Sequence, residues 1–570
     1  MKPDRRKRSP ARGTRGASAA TIALAAAILG AACGGSDDAP VAAAPAAAYR
    51  FDADTVKVAS GTVGASEDST AAVRVFKAIP YAAAPVGALR WQPPRPAVSW
   101  TGTRKNNGFS VACMQGQGTV LTSILYTGSP SVGENCLYLN VWTPTASAAE
   151  KRPVMVLLFG GGNAQGTASN PTYDGFGLAS KGVVVVTFNY RLGVLGWLAH
   201  PELSAESPNK VSGNYGLLDQ IAALQWVKAN IAGFGGDPAN VTLYSQSAGA
   251  WNAHLLMASP LAKGLFHKAL LGSGGMFPGI KGNSRTLAQA EASGTTFAAT
   301  AKAANLAALR AMLATDLQAI SGTYPAGQNV DGYVLPDQID IVFRSGQAAD
   351  IPVLTGSTSD EQTTSPPGFA TTLAGFQAQA ATAFGASASQ VQTLYAVTDD
   401  ASAAAVRFTI VRDFELAWQP YTLARTMAAK ATSKAYVYLF NRVPPYYPDQ
   451  RNYSEAIDPA TLGAYHTVEQ VYFYNNLAQA PRPYTAVDLR LADVASTYLV
   501  NFATSGDPNA PVTTTAAGNV LPQWPAFAGA GARLMLLGDV IAPASEPQQA
   551  ALDLFDKVIA DKIGRPLAFQ

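Results

Sequence analysis

Residues able to do chemistry are scarce in this chain, so each one can be weighed. Its 570 residues include four His and three Cys, too few for a cysteine-rich zinc module or an iron–sulfur array. A serine hydroxyl can act as a nucleophile when a neutral imidazole takes its proton and a buried carboxylate fixes the imidazole tautomer. Ser247 lies within Ser245-Gln246-Ser247-Ala248-Gly249. The sequence predicts nucleophilic catalysis at Ser247, with no cofactor and no metal site.

The small residues around Ser247 suit a sharp connection from a strand to a helix. Such a nucleophile elbow needs small neighbours because its backbone is strained and the strand approaches the helix closely. Gly-x-Ser-x-Gly is the usual pattern, and Ser245 stands here at the first glycine position. The pattern alone is weak, but Gly161 and Gly162 follow another predicted strand upstream. Their N–H groups, with that of Ala248, are predicted to bind a developing oxyanion.

One histidine is placed well enough to be the base. The four are His200, His254, His267 and His466. His254 follows Ser247 by two helical turns, about 10 Å along the axis, and is predicted to be a core residue. His200 and His267 are interpreted as structural or surface residues. His466 lies in a loop beyond a predicted strand, where its side chain is not committed to a helix or a strand. His466 is therefore the predicted base.

The acid is predicted beside another strand. Asp360 and Glu361 follow the predicted strand 352–355, whose carboxyl end should carry catalytic loops. Position alone leaves both carboxylates open as the partner of His466. Glu469, three residues after His466, is a further nearby carboxylate.

The elements that must position these residues alternate along the chain. Residues 153–159 (PVMVLLF) and 183–190 (VVVVTFNY) are nearly continuous apolar runs, typical of strands buried on both faces by helices. Residues 217–231 repeat apolar side chains at helical spacing. Further strands are predicted at 241–244, 268–271, 352–355 and 435–440. This alternation predicts an α/β protein with a mostly parallel twisted sheet flanked by helices. No second linker follows residue 50, so residues 51–570 are predicted to be a single domain.

Composition excludes several partner classes. Charged residues make up 14% of the chain, below the roughly 25% of typical soluble domains. The net charge is +3, and much of the basic excess lies before residue 16. No basic face for nucleic acid is therefore expected, and the expected partner is a small-molecule substrate.

The N-terminal residues are typical of an export signal. A basic segment precedes the apolar run 21–32, which would span about 18 Å as a helix, too short for the roughly 30 Å hydrocarbon core. Residues 1–32 are therefore predicted to be the signal, and the Ala/Pro-rich residues 33–50 a tether. Leu29-Gly30-Ala31-Ala32-Cys33 resembles a bacterial lipoprotein cleavage box. Cys33 is the predicted lipid anchor of a periplasmic or secreted protein; an ordinary signal with a free Cys33 and twin-arginine export are the alternatives.

Longer motifs carry a family resemblance over nearly all of residues 55–570. They are residues 79–81 (IPY), 89–91 (LRW), 134–142 (ENCLYLNVW), 189–193 (NYRLG), 213–249, 264–274 (GLFHKALLGSG) and 501–509 (NFATSGDPN). The chain resembles the type-B carboxylesterase and cholinesterase family of α/β-hydrolases. The resemblance implies an α/β-hydrolase fold and a serine carboxylesterase that hydrolyses esters through an acyl-enzyme.

The resemblance also assigns roles to individual residues. It implies that Glu361 is the triad acid, with Asp360 the runner-up, and that His466 is the base. Glu469 resembles a supporting position. Gln362 stands where a glycine commonly follows the acid, which puts the local conformation of that turn in question.

A disulfide and some substrate limits follow from the same resemblance. It implies a bond between Cys113 and Cys136, which export favours. The loop between them has no Trp, and Gln246 stands where cholinesterases place a Glu, so choline esters are not expected. Asn163 places a polar side chain near the acyl site. The alternatives to a general carboxylesterase are a lipase, a detoxifying esterase for carbamates or other xenobiotics, and a non-catalytic adhesion protein.

Overall fold

A ten-stranded sheet organises the chain around its catalytic motifs. The computed structural model describes residues 54–116, 130–279, 282–364, 368–447, 461–480, 482–529 and 531–570. These residues belong to one compact unit, Tyr49–Gln570. The predicted signal, tether and Cys33 anchor lie outside the described residues and stay predictions. Among the described residues, no helix has both the length and the apolar character needed to cross a membrane.

Fifteen strands lie in the described part of the chain. They are β1 Thr55–Val58, β2 Gly61–Gly64, β3 Arg74–Pro80, β4 Thr103–Lys105, β5 Ala112–Cys113, β6 Val132–Gly133, β7 Tyr138–Thr143, β8 Arg152–Leu158, β9 Val184–Phe188, β10 Gly236–Gln246, β11 Lys268–Gly272, β12 Val353–Thr358, β13 Ala435–Phe440, β14 Arg533–Leu537 and β15 Ile541–Ser545.

The α-helices of the described residues alternate with these strands. They are α1 Phe176–Ala179, α2 Gly193–Trp197, α3 Pro201–Glu206, α4 Tyr215–Asn230, α5 Ala248–Ala258, α6 Leu287–Thr300, α7 Leu306–Ala311, α8 Ala314–Ala319, α9 Ile339–Arg344, α10 Leu373–Phe384, α11 Ala388–Leu394, α12 Asp400–Val411, α13 Trp418–Lys430, α14 Glu469–Phe473, α15 Ala486–Ser505 and α16 Gln549–Ile563. A π-helical segment, Arg412–Ala417, joins α12 to α13.

The sheet is parallel in its centre and antiparallel at its edges. Its order is β15-β14-β13-β12-β11-β10-β8-β9-β7-β3. Every pair from β14 through β9 is parallel, whereas β15, β7 and β3 pair antiparallel. The predicted mostly parallel sheet is confirmed. A parallel sheet must be covered on both faces because its crossover connections are helices, which explains why its central strands are almost wholly apolar.

The apolar runs of the sequence form the central strands. All residues of β9 are buried, and so are the last five of β8. The predicted helix 217–231 corresponds to α4, and the predicted strand 435–440 has the bounds of β13. The strand predicted at 241–244 is longer than expected: β10 begins at Gly236 and has an irregular register before Val241. Its carboxyl end and those of β8, β12 and β13 lead into the segments that carry the candidate catalytic residues.

Candidate active site

Ser247 lies at a sharp turn between β10 and α5. Its backbone has φ 56° and ψ −127°, a left-handed conformation that costs a non-glycine residue of order 1–3 kcal/mol and is typical of functional sites. The turn is fixed by two backbone hydrogen bonds: Ser247 N–H donates to Gly272 O (2.8 Å), and its carbonyl accepts from Trp251 N–H (3.0 Å). Ser247 is partly exposed while residues 241–246 and 248–250 around it are almost all buried. The turn therefore presents one hydroxyl to solvent.

Glycines surround this turn because other backbone segments pass very close to it. A Cβ on Gly249 would lie 2.0 Å from Leu158 O, and one on Gly274 would lie 2.6 Å from Ser247 O. Ser245, by contrast, is an ordinary residue of β10, and its hydroxyl donates to Leu270 O at 2.5 Å. The serine at this position is therefore accommodated by a hydrogen bond to the next strand.

The glycine run after β8 lies directly against the nucleophile. A Cβ on Gly160 would come within 2.8 Å of Ser247 Cβ. Gly161 and Gly162 have φ values of 109° and 64°, and Gly161 O accepts from Gln165 N–H at 3.1 Å. Among the described residues, no acceptor takes the N–H of Gly161, Gly162 or Ala248. Three donors beside a nucleophile can stabilise a developing oxyanion.

A pair of buried amides fixes the end of this glycine run. Asn163 Nδ2 donates to Asn252 Oδ1 (3.3 Å), and Asn252 Nδ2 donates to Asn163 Oδ1 (2.8 Å). Asn163 O also accepts from Gly193 N–H at 2.7 Å. The side chain of Asn163 therefore ties the loop to α5. Sequence reasoning missed Asn252, although a lone amide within the apolar residues of α5 was the available signal.

The predicted acid and base meet across two loops. Glu361 follows β12, and its Oε1 accepts from Thr358 N–H at 2.7 Å. Its Oε2 is hydrogen-bonded to His466 Nδ1. The Glu361 side chain is fully buried, whereas that of His466 is 12% exposed. This bond selects the tautomer with hydrogen on Nδ1, which makes Nε2 the nitrogen that can accept a proton.

The electrostatic surroundings of His466 favour its charged form. Burial lowers the pKa of His466, but the charge of Glu361, their hydrogen bond and the charge of Glu469 together raise that pKa above its ordinary value. Glu469 is itself buried, and desolvation with the nearby Glu361 charge raises its pKa to about 7. Glu469 Oε1 accepts from Gln470 Nε2 at 2.8 Å, and Oε2 has no donor among the described residues. Two carboxylates thus stabilise the imidazolium that proton transfer would create.

Gln246 joins the nucleophile segment to the base. Its Nε2 lies 3.3 Å from His466 Nε2, and in the tautomer selected by Glu361 the amide is the donor. The residue before Ser247 therefore contacts the imidazole nitrogen that must receive the serine proton.

The other three histidines and Gln362 have no part in the candidate triad. His254 is buried in α5, accepts from Met276 N–H at 2.8 Å and contacts two Phe rings edge-on; burial lowers its pKa to about 3. His200 caps α3 and His267 accepts from Val241 N–H, so these three histidines are structural. Gln362 does not have a positive φ, so a glycine is not needed there.

The predicted disulfide is confirmed. Cys113 and Cys136 are bonded, with Cα atoms 5.0 Å apart. On the chain-entropy description, a loop of this length stabilises the folded state by roughly 3 kcal/mol. Gln115, two residues on, exchanges two 2.8 Å hydrogen bonds with the backbone of Gly166. The disulfide loop is thereby tied to the segment that follows the glycine run.

The chain is similar in sequence to proteins named as esterases. The chain is 43% identical to fumonisin B1 esterase of Sphingopyxis macrogoltabida over 332 residues, which cover 56% of this chain and 58% of the relative. It is 38% identical to para-nitrobenzyl esterase of Bacillus subtilis (strain 168) over 305 residues, 51% of this chain and 59% of the relative. The matched regions thus span less than two thirds of both relatives.

A solved structure and a family model cover more of the chain. A thermophilic PNB esterase superimposes with a TM-score of 0.73 and 28% identity, over 88% of this chain and 99% of that one. The sheet and its flanking helices therefore form an α/β-hydrolase fold. The family model described as "Carboxylesterase family" matches residues 52–550. The chain belongs to the carboxylesterase family.

Proposed function

We propose that this protein is a serine carboxylesterase that uses Ser247, His466 and Glu361 as its triad. The observation that carries the proposal is the bond between buried Glu361 and His466 Nδ1, together with the 3.3 Å contact of His466 Nε2 with Gln246, the residue before the strained Ser247. A buried carboxylate on Nδ1 directs the basic nitrogen toward the nucleophile. Family membership and relatives named as esterases support the same reaction.

Each step has a residue to perform it. Ser247 Oγ attacks the ester carbonyl and His466 Nε2 takes the hydroxyl proton. The N–H groups of Gly161, Gly162 and Ala248 donate to the oxyanion, and His466 then gives its proton to the leaving alcohol. A water molecule, activated by His466 in the same way as the serine hydroxyl, then attacks the acyl-enzyme and releases the acid. Glu361 keeps its bond to Nδ1 and stabilises the imidazolium.

The proposed substrates are small uncharged esters. Relatives are named for fumonisin B1, para-nitrobenzyl esters and cocaine, so their names do not indicate one common substrate. An amide, Gln246, occupies the position beside the base, which provides no negative charge for a cationic alcohol. Choline esters are therefore expected to be poor substrates. A chain-length panel of p-nitrophenyl esters, with triglyceride and carbamate members, separates this function from a lipase or a detoxifying enzyme.

The test of the proposal is the variant Ser247→Ala. Hydrolysis of p-nitrophenyl butyrate should fall by at least about 10⁴-fold, because the nucleophile acts as a unit with the base. The thermal unfolding midpoint should stay close to that of the wild type. Hydrolysis at the wild-type rate would contradict the mechanism, and an inactive wild type would favour the binding-protein alternative.

Export with a lipid anchor at Cys33 is a second part of the proposal. The bonded Cys113 and Cys136 support it, because disulfides persist in oxidising compartments. In a bacterial host, the protein should partition with membranes and Cys33→Ala should release it to the soluble fraction. Identical partitioning of the two proteins would contradict the anchor.

A further inference from the structure

Asp360, the neighbour of the proposed triad acid, has contacts that the mechanism above does not use. Its Oδ2 accepts from Ala464 N–H at 2.9 Å and from Ser359 Oγ at 2.6 Å. Its backbone N–H donates to Ala464 O at 3.1 Å. Asp360 is therefore joined by side chain and main chain to a residue only two positions before His466.

Two further contacts join the turn at residues 359–363, called here the acid turn, to residues 462–466, called here the base loop. Gly463 has φ 60°, and a Cβ there would lie 2.4 Å from Asp360 Cγ. The Thr363 hydroxyl lies 2.9 Å from Asp360 O and 2.7 Å from Leu462 O. The backbone of residues 462–464 thus packs directly on the acid turn.

The acid turn is also held from its other side. Arg412, the first residue of the π-helical segment, donates from Nη1 to Ser359 O at 2.8 Å. Its Nε donates to Asp413 Oδ1 at 2.7 Å. The turn is therefore anchored to the helical layer as well as to the base loop, which makes it a rigid support.

Two adjacent residues of the acid turn each form a hydrogen bond with the base loop. Glu361 holds the ring of His466, and Asp360 holds the backbone at Ala464. The carboxylate bond to Ala464 N–H adds to the bond from Asp360 N–H to Ala464 O and to the bond from Thr363 to Leu462 O, and together they restrict movement of the loop two residues before His466. A shift of about 1 Å in a catalytic group can cost about 10²-fold in rate.

We propose that Asp360 is a positioning residue that fixes the His466 loop through Ala464, so that the imidazole stays aligned with both Glu361 and Ser247. The inference rests on the proposed function, since it takes His466 as the base. It also separates the roles of the two neighbouring carboxylates: Glu361 bonds the imidazole, and Asp360 bonds the backbone that carries it.

Matched variants of the full chain test this division. Asp360→Ala removes the acceptor, Asp360→Asn removes the charge but keeps an oxygen for Ala464 N–H, and Glu361→Gln breaks the proposed triad. For each variant, kcat and KM are measured on p-nitrophenyl butyrate and corrected for the folded fraction. The pH dependence of kcat/KM is also measured, and its fall toward low pH is called here the acid limb. That limb reports His466, which faces the carboxylates of Glu361 and Glu469.

The expected results differ among the three. Asp360→Ala should lower kcat by about 10- to 100-fold with KM within about threefold, and should move the acid limb to lower pH, because a loosened His466 loses the support of Glu361. Asp360→Asn should stay within about threefold of wild type in kcat, since the acceptor remains. Glu361→Gln should lose about 10³- to 10⁴-fold.

Other outcomes overturn the inference. Asp360→Ala with wild-type kcat, or with a lower kcat and an unmoved acid limb, would show that the bond to Ala464 does not position the base. Asp360→Asn as inactive as Glu361→Gln would make Asp360 the acid and contradict the triad as well. An active Glu361→Gln would contradict the role of Glu361 as the triad acid, and the Asp360 variants would still test the bond to Ala464. If Asp360→Ala does not fold, Thr363→Val is tested in its place. A fall in kcat of about threefold or more, with the acid limb moved to lower pH, supports the inference. An unchanged kcat and an unchanged acid limb overturn it.

Discussion

The nucleophile half and the acid–base half of the site are held by different means. Ser247 and the glycine run are positioned by backbone: glycine residues that tolerate no Cβ and a strained φ at Ser247. His466 and Glu361 are positioned by side-chain hydrogen bonds, both within the turn after β12 and from that turn to the loop that carries His466. Close backbone packing therefore positions the first half, and side-chain hydrogen bonds position the second. The two should fail in different ways when they are perturbed.

Of the changes that compare the two halves, the larger effect is expected at Gly161, in the nucleophile half. A Cβ there would lie 2.1 Å from Gln165 O, whereas a Cβ on Gly162 meets nothing within 4 Å. Gly161→Ala must displace the loop and its oxyanion donors, so kcat should fall by about 10²- to 10³-fold. Gly162→Ala, which also has a positive φ, is the matched control.

The control separates crowding from backbone strain. Gly162→Ala keeps its N–H and has room for a methyl group, so only the left-handed conformation is penalised, by about 1–2 kcal/mol. It should lose less than about tenfold in kcat. Equal losses in the two variants, measured on p-nitrophenyl butyrate, would contradict the steric account of this half.

A smaller effect probes the acid–base half through its pH dependence. Only neutral His466 can act as base, so kcat/KM falls as the pH drops below the pKa of His466. Because that pKa is raised, the acid limb should have its midpoint above about 6.5. Glu469→Gln removes one of the charges that raise it and should move the limb to lower pH, by up to about one unit.

The pH profile distinguishes the two halves. The charges of Glu469 and His466 influence each other's pKa, so the midpoint of the acid limb is an apparent value for the pair. Gly161→Ala should lower the maximum of kcat/KM but leave the midpoint pH of the acid limb unchanged, because residue 161 is not among the groups that shift the pKa of His466. A limb at or below 6.5 in the wild type, or one unmoved in Glu469→Gln, would contradict the electrostatic description of His466.

The same division explains how much the sequence could predict. Apolar runs fixed the central strands β8, β9 and β13, and small residues around Ser247 indicated the elbow, because both signals are local. The pairing of Glu361 with His466 rested on family resemblance, since position alone left Asp360 open. No local pattern pointed to Asp360 and Ala464, or to Asn163 and Asn252. Those bonds join segments whose proximity only the fold determines.

Covalent labelling by a fluorophosphonate probe tests the central claim most directly. An activated serine reacts with such a probe, whereas an ordinary surface serine does not. The account predicts one label per chain, located on Ser247 by peptide mass spectrometry. The labelling rate should be strongly reduced in His466→Ala and in Glu361→Gln. Absence of labelling in the folded wild type, or a label on another residue, would contradict it.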